Sequence, residues 1–139
     1  MNTRFTFCMI KPDAFKSDTV SDILLEILKA GFKLRGIKIT MLTKSKAEQF
    51  YDIHKGKEFF DRLTTFMSSG PVMAMVLERD DAVASLRKLI GKTDPAQAEE
   101  GTIRRKYGTN TTYNAIHAAD SNENAEREWS FFFSKREIY

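Results

Sequence analysis

The sequence predicts an α+β fold, with an antiparallel sheet in the ferredoxin-like order βαββαβ, helices on one face of the sheet and a long loop insertion. Two observations lead to this prediction. Strand-like and helix-like patterns alternate along the chain. In the first, apolar residues occupy every second position, and in the second they recur at helical spacing. The 139 residues are enough for one continuous core but few for two, so we expect one domain over residues 1–139.

Composition limits the class of protein. With 42% hydrophobic and 29% charged residues, the chain has the balance of water-soluble globular proteins. Its longest apolar run, residues 71–77, is far shorter than the roughly 20 residues that cross a bilayer, and the N-terminus lacks a signal-peptide pattern. The single Cys8 suits a reducing compartment. We therefore expect a cytoplasmic protein without a membrane segment, whose net charge of +3 permits anionic ligands.

The first strand and the first helix have clear patterns. Apolar residues alternate over residues 5–11, which predicts a strand with Lys11 at the end of an apolar face. Pro12-Asp13 ends this strand. The segment after Ser17-Asp18 has apolar residues at helical spacing and closes at Gly31, a residue suited to a helix C-terminus.

The middle of the chain adds two strands and two helices. In residues 32–41 the apolar phase slips by one residue at Gly36, which predicts a bulged strand whose two halves both face the core. Residues 44–54 and 59–67 have the pattern of short helices. Residues 72–77 are apolar on both faces and indicate a covered strand.

The next segment begins with a helix and continues irregularly. Asp80 or Asp81 is a candidate N-cap for an amphipathic helix that ends at Gly91. Residues 92–112 show no clear period, and such long segments in compact domains are usually functional loops.

The C-terminal segment is expected to close the sheet. Asp120 and Glu123 resemble a capping box, which predicts a two-turn helix to about Glu128. The aromatic run at residues 129–133 then predicts the last strand.

Three common site motifs are broken or missing. Gly91-Lys92-Thr93 resembles the end of a phosphate-binding P-loop, but Leu86 stands where the first glycine belongs and the tripeptide ends a helix instead of opening one. The chain has one cysteine, and His54 and His117 lack a close paired spacing, so we expect no metal centre built by the protein alone. No serine lies in a Gly-x-Ser-x-Gly turn of the kind found in many hydrolases.

One stretch carries a stronger signal: Asn114-Ala115-Ile116-His117-Ala118-Ala119-Asp120-Ser121. On general grounds a lone histidine is more often structural than catalytic. Here, however, small residues and a nearby helix start would leave space and amide donors for an anion beside the imidazole. Neutral imidazole is a competent nucleophile, and a phosphorylated imidazole can pass its phosphoryl group on. This makes His117 a candidate nucleophile.

Together with Met-Ile-Lys-Pro-Asp at 9–13 and Gly-Thr-Ile-Arg at 101–104, this stretch resembles the nucleoside diphosphate kinase family over about residues 5–139. The resemblance implies that His117 accepts the γ-phosphoryl group of a nucleoside triphosphate at Nδ1 and hands it to a nucleoside diphosphate in a ping-pong cycle with broad base specificity. It also implies Mg²⁺, held mainly by the nucleotide phosphates, and a homo-oligomer that is a tetramer or a hexamer.

The resemblance implies a role for each matching residue. Five residues match family residues that contact phosphate or ribose: Lys11, Arg87, Thr93, Arg104 and Asn114. Phe59 matches the aromatic ring on which the base stacks, Tyr51 a tyrosine near the histidine, and Glu128 the carboxylate that orients the histidine; Lys11 counts among the catalytic groups as well. Asp120 matches a residue that reaches the Mg²⁺ hydration shell through water, although we expect it first to be a helix cap.

Without the resemblance, each residue has an ordinary interpretation. Lys11 would be a lysine whose stem covers apolar surface, Tyr51 a core aromatic and Glu128 a solvated acid. A nucleic-acid-binding module is the main alternative function for a ferredoxin-like sheet with aromatics, but no strand has the Lys/Arg-Gly-Phe-Gly-Phe type of motif, so we expect no nucleic acid partner. An inactive nucleotide-binding regulator is disfavoured by His117.

The chain departs from the family pattern beside the histidine. Ala118-Ala119 stands where Gly-Ser is common. The missing serine hydroxyl would support the arrangement of Glu128 and His117, so we expect catalysis with a less firmly held imidazole.

Overall fold

A computed structural model describes residues 3–139. Its four strands form one antiparallel sheet in the order β2-β3-β1-β4. The strands are β1 (Phe5–Ile10), β2 (Lys33–Met41), β3 (Pro71–Glu78) and β4 (Ile116–Ala118). The α+β class and the ferredoxin-like order predicted from the sequence are confirmed.

Seven α-helices connect and cover the strands. They are α1 (Pro12–Lys16), α2 (Val20–Lys29), α3 (Lys44–Phe50), α4 (Phe60–Met67), α5 (Ala82–Ile90), α6 (Ile103–Tyr107) and α7 (Asn122–Phe132). Single 3₁₀ turns lie at Asp52–His54, Pro95–Gln97 and Lys135–Glu137. In the part of the chain that the structure describes, no helix combines the length and the apolar character needed to cross a membrane.

Both faces of the sheet are covered. Cys8 and Ile10 of β1 pack in one cluster with buried residues of α2 and α5, so these two crossover helices do lie on one face, as expected. Phe7 and Met9 point the other way and pack with residues of α3, α4 and α7. The prediction had not included this second layer, which explains why β3 is apolar on both faces.

Strand β2 has the bulge that was expected. Its register with β3 shifts between Leu34 and Gly36. Leu34 then lies opposite Leu77 and Ile37 opposite Met75, so the two halves of β2 share one face because directly paired residues point to the same side. The expected burial is wrong, however, since β2 is an edge strand and Ile37 is 45% exposed.

The C-terminal segment differs from the prediction. Helix α7 continues to Phe132, and residues 129–133 form no strand. The fourth strand is instead Ile116–Ala118, which pairs with β1. The aromatic run remains helical because its rings fill the layer beside β1, where Phe132 stacks on Phe7 with ring centroids 5.5 Å apart. Tertiary packing thus outweighs the β propensity of these residues.

Helix ends account for the other differences. Ser121, and not Asp120, caps α7, since its hydroxyl accepts a hydrogen bond from the Asn124 amide. Asp81 stands at the N-cap of α5 without a side-chain hydrogen bond. Two short helices were not predicted, α1 directly after β1 and α6 within the irregular segment.

Candidate active site

The candidate residues meet in one cavity. It measures about 390 Å³ and opens beside the end of β1 and the start of β4. All ten residues named from the sequence line it: Lys11, Tyr51, Phe59, Arg87, Thr93, Arg104, Asn114, His117, Asp120 and Glu128. A cavity of this size accommodates a small organic ligand.

His117 is held in a defined orientation. It lies in β4 opposite Met9 of β1, and its Nε2 is 2.7 Å from Oε1 of Glu128. Glu128 comes from α7 and is only 3% exposed. The rings of Phe50 and Tyr51 meet the imidazole edge-on, with centroids 5.4 and 5.7 Å away. With Nε2 engaged by the carboxylate, Nδ1 is the ring nitrogen left for chemistry.

Lys11 follows β1 and is buried in the cavity wall. Its ammonium donates a hydrogen bond of 2.8 Å to Oδ1 of Asn114, and the Asn114 amide donates to the carbonyls of Thr93 and Thr111. Burial, followed by the charge of Arg104, lowers the pKa of Lys11 to about 7, while Asp13 acts in the opposite direction. This cation therefore lacks a strong counter-charge.

Two arginines add positive charge. Arg104 of α6 is buried, and its guanidinium donates to the carbonyls of Gly91 (3.0 Å) and Ile116 (2.8 Å). Burial, followed by repulsion from Arg87, lowers the pKa of Arg104 to about 10. Its Nε is buried with no partner among residues 3–139. Arg87 of α5 reaches over with a long contact of 3.4 Å to the carbonyl of Ala118.

The aromatic residues occupy different depths. The hydroxyl of Tyr51 is buried and has no hydrogen-bond partner among the described residues. Burial, followed by the charge of Glu128, raises the pKa of Tyr51 well above its usual value, so the phenol keeps its proton. Phe59, at the start of α4, is 37% exposed and lies at the rim. A flat ligand can stack on it there.

Asp120 lies in the cavity wall and does not cap α7. Its Oδ1 accepts a hydrogen bond of 2.6 Å from Asn124, which is the main reason why the pKa of Asp120 is lowered. No group of three or more His, Cys, Asp or Glu residues suited to a metal occurs within residues 3–139. Asp120 offers the cavity a carboxylate oxygen, the type of ligand that hard divalent cations take.

The cavity also includes residues that the sequence reasoning missed. These are Ile53, His54, Arg62, Leu63, Thr111, Thr112 and Ala118. The Nε of Arg62 donates to the hydroxyl of Thr112 at 3.2 Å. Helical spacing was the available signal, because Arg62 follows Phe59 by three residues at the start of a helix and so shares its face.

Known proteins show the same combination of sequence and fold. A family model described as nucleoside diphosphate kinase matches residues 4–138. The chain belongs to this family. Nucleoside diphosphate kinases transfer phosphoryl groups between nucleotides through a phosphohistidine, and this chain is an enzyme of that type; the family generally uses a divalent metal.

Individual nucleoside diphosphate kinases are similar to this chain over most or all of their length. That of Flavobacterium psychrophilum is 47% identical over 139 residues, which is 100% of both chains. That of Persephonella marina is 46% identical over 138 residues and 99% of both chains. Among solved structures, the Aquifex aeolicus enzyme has a TM-score of 0.96 at 41% identity, covering 98% of this chain and 99% of that one. The Halobacterium salinarum enzyme in complex with CDP has a TM-score of 0.94 at 38% identity, covering 99% and 92%.

Proposed function

We propose that His117 is the nucleophile of this nucleoside diphosphate kinase and that the other cavity residues bind and orient the nucleotide. The main support is the partly buried contact between His117 and Glu128, which lies in a cavity whose walls carry Lys11, Arg87 and Arg104. A fixed imidazole facing several cations suits a reaction that moves an anionic group onto nitrogen.

In the first half-reaction, Nδ1 of His117 attacks the γ-phosphorus of a nucleoside triphosphate. The new N–P bond forms as the bond to the β,γ-bridging oxygen breaks, and the nucleoside diphosphate leaves with that electron pair. The carboxylate of Glu128 accepts the Nε2 proton in a hydrogen bond and stabilises the positive charge that develops on the ring. In the second half-reaction, a terminal oxygen of another nucleoside diphosphate takes the phosphoryl group back.

The cations bind the phosphates. Burial lowers the pKa values of Lys11 and Arg104, and a neighbouring cation lowers each of them further, Arg104 for Lys11 and Arg87 for Arg104. A bound anion therefore relieves an unfavourable arrangement of charge. Arg87 and the hydroxyl of Thr93 lie at the same cavity and complete the phosphate contacts. Because these cationic side chains are in position before the reaction begins, they need not reorganise to stabilise the charge of the transition state.

The nucleoside occupies the rim. Phe59 stacks on the base, and Asn114, which lies between Lys11 and Thr93, binds a ribose hydroxyl together with Lys11. Stacking depends little on which base is present, so we propose broad base specificity. The CDP bound by the Halobacterium salinarum relative is consistent with a nucleotide in this place. Tyr51 donates a hydrogen bond from its hydroxyl to the reacting phosphoryl group.

Mg²⁺ is the proposed metal ion. The nucleotide phosphates would hold most of its coordination sites, and Asp120 would reach its hydration shell through water. Such partial protein ligation suits Mg²⁺, which keeps several waters when it binds with phosphates. The ion supplies neutralising charge to the phosphates.

We also propose that residues 1–139 form one cytoplasmic domain that assembles as a homo-oligomer, a tetramer or a hexamer. An exposed apolar edge supports the assembly, since Ile37, Ile39 and Met41 of β2 are 45%, 59% and 62% exposed. Ile39→Lys should reduce the mass measured by sedimentation, whereas Lys33→Ala on the same strand should leave it unchanged. An unchanged mass for both variants contradicts an interface at β2.

Incubation with γ-labelled ATP and Mg²⁺ tests the function. The protein should become labelled on histidine, acid-labile and alkali-stable, and ADP or GDP should discharge the label. His117→Ala should abolish the labelling, while His54→Ala, which replaces the only other histidine, should still take label. Label that persists in His117→Ala refutes the assignment of the nucleophile.

A further inference from the structure

A strained turn separates the nucleophile from the lysine–asparagine pair. Ala115 has φ = +75°, a positive value that is unfavourable for an alanine. The amide of Ile116 donates across it to the carbonyl of Asn114 at 2.9 Å, which makes a γ-turn. Asn114, the partner of Lys11, lies before this turn, and His117 lies just after it. The turn therefore sets the distance between the two halves of the site.

Both peptide groups of Ala115 are tied to the segment that follows β1. Its carbonyl accepts from the backbone amide of Lys11 at 2.9 Å, a bond that any residue at position 11 except proline can make. Its N–H donates to Oδ2 of Asp13 at 3.0 Å, and this bond depends on the side chain. Without it, a buried amide in a strained turn would have no acceptor, which is unfavourable because the amide has also lost its hydrogen bonds to water.

The carboxyl group of Asp13 is itself in an unfavourable place. Its Oδ1 is buried and has no hydrogen-bond partner among residues 3–139. Burial raises the pKa of Asp13, and the bond from Ala115 acts against this rise. Carboxyl groups perturbed in this way cluster at functional sites.

We propose that Asp13 is a positioning residue for phosphoryl transfer, because its bond to Ala115 holds the strained turn that spaces His117 from Lys11 and Asn114. The inference rests on the function proposed for His117. Asp13 does not line the cavity, so it acts through the turn and touches no nucleotide. Misplacing reacting groups by about 1 Å can reduce a rate 100-fold, so a small shift of this turn has a large effect.

Three variants separate this role from a general loss of stability. Asp13→Ala removes the acceptor, whereas Asp13→Asn keeps an oxygen for the Ala115 amide. Asp13→Ala combined with Ala115→Gly removes the acceptor but also the strain, since glycine adopts positive φ without penalty. Asp22→Ala, at an exposed acidic residue of α2, is the matched control. Each protein is phosphorylated in rapid-quench experiments, once by ATP with Mg²⁺ and once by phosphoramidate, which modifies imidazole without a nucleotide.

With ATP, we expect Asp13→Ala to be about 10- to 100-fold slower than the control, Asp13→Asn to stay within about threefold of it, and the double variant to regain at least about fivefold. With phosphoramidate, all variants should react alike, because Glu128 and His117 remain paired. Should Asp13→Ala not fold, Asp13→Val, which fills more of the space left by the carboxyl group but has no acceptor, replaces it.

Some results would overturn the proposal. One is a folded Asp13→Ala protein that ATP phosphorylates as fast as it does the control. Another is a loss of rate with phosphoramidate equal to the loss with ATP. The third is a double variant whose rate with ATP does not recover. Failure of the proposed function looks different, since the unmodified protein would then form no phosphohistidine with ATP.

Discussion

Replacing Glu128 tests the geometry of the nucleophile most directly. Its Oε1 lies 2.7 Å from Nε2 of His117, and the side chain is 3% exposed. Glu128→Ala removes a hydrogen bond between charged or partly charged groups, which contributes about 1.5–3 kcal/mol. At about 1.4 kcal/mol for each factor of ten, phosphorylation of His117 should slow roughly 10- to 160-fold. Glu128→Gln keeps an acceptor without the charge and should give an intermediate rate.

The assay is single-turnover labelling of the protein by γ-labelled ATP. Glu126→Ala is the matched control, because Glu126 lies on the same helix and is exposed. The affinity for ATP should be unchanged in Glu128→Ala, since the bond that it removes is to the imidazole. If the folded Glu128→Ala protein is labelled within threefold of the control rate, the reasoning is wrong, and the rings of Phe50 and Tyr51 alone orient His117.

Three further predictions concern the base, the lysine and the departure beside the histidine. Phe59→Ala should raise the KM for ATP by roughly 5- to 150-fold, as expected for one lost stacking contact, with little change in kcat; a fall in kcat alone would contradict base stacking. In the free protein the pKa of Lys11 is lowered to about 7, so the ammonium is present below that pH and is lost above it. The KM for ATP should therefore rise between pH 6 and pH 9, and Lys11→Arg should remove this rise, since arginine stays charged. The titration of ATP itself affects both proteins equally. If the KM rises with pH equally in both proteins, the role of Lys11 is refuted. The Ala119→Ser protein should be labelled on His117 at least as fast in single turnover, because the hydroxyl would support the pairing of Glu128 with His117; slower labelling would refute this expectation.

Local patterns predicted much of the fold. The alternation in residues 5–11 and the helical spacing before Gly31 correspond to β1 and α2, and the slip at Gly36 corresponds to the register shift in β2. Helix α2 was predictable because only one of its faces is buried, which leaves a period in the sequence. Strand β1 is buried on both faces and was predicted from its apolar residues at alternate positions.

Other elements depend on distant contacts. β4 has three residues, too few to show a period, and it exists because β1 offers an unpaired edge. The aromatic run at residues 129–133 favours a strand by propensity, yet packing against Phe7 and Phe50 keeps it within α7. Exposure of Ile39 was equally hidden, since the sequence does not show where the covering helices end.

The sequence by itself determined which side chains are available for chemistry, and it placed His117, Lys11 and Asn114 in recognisable motifs. The tertiary structure alone decided how they act on one another. Lys11 and Asn114 are 103 positions apart and meet at 2.8 Å, and burial in that place, which depends on the whole fold, lowers the pKa of Lys11. The strained turn at Ala115 and its bond to Asp13 likewise became visible only in three dimensions, because backbone angles and long-range hydrogen bonds leave no periodic trace in a sequence.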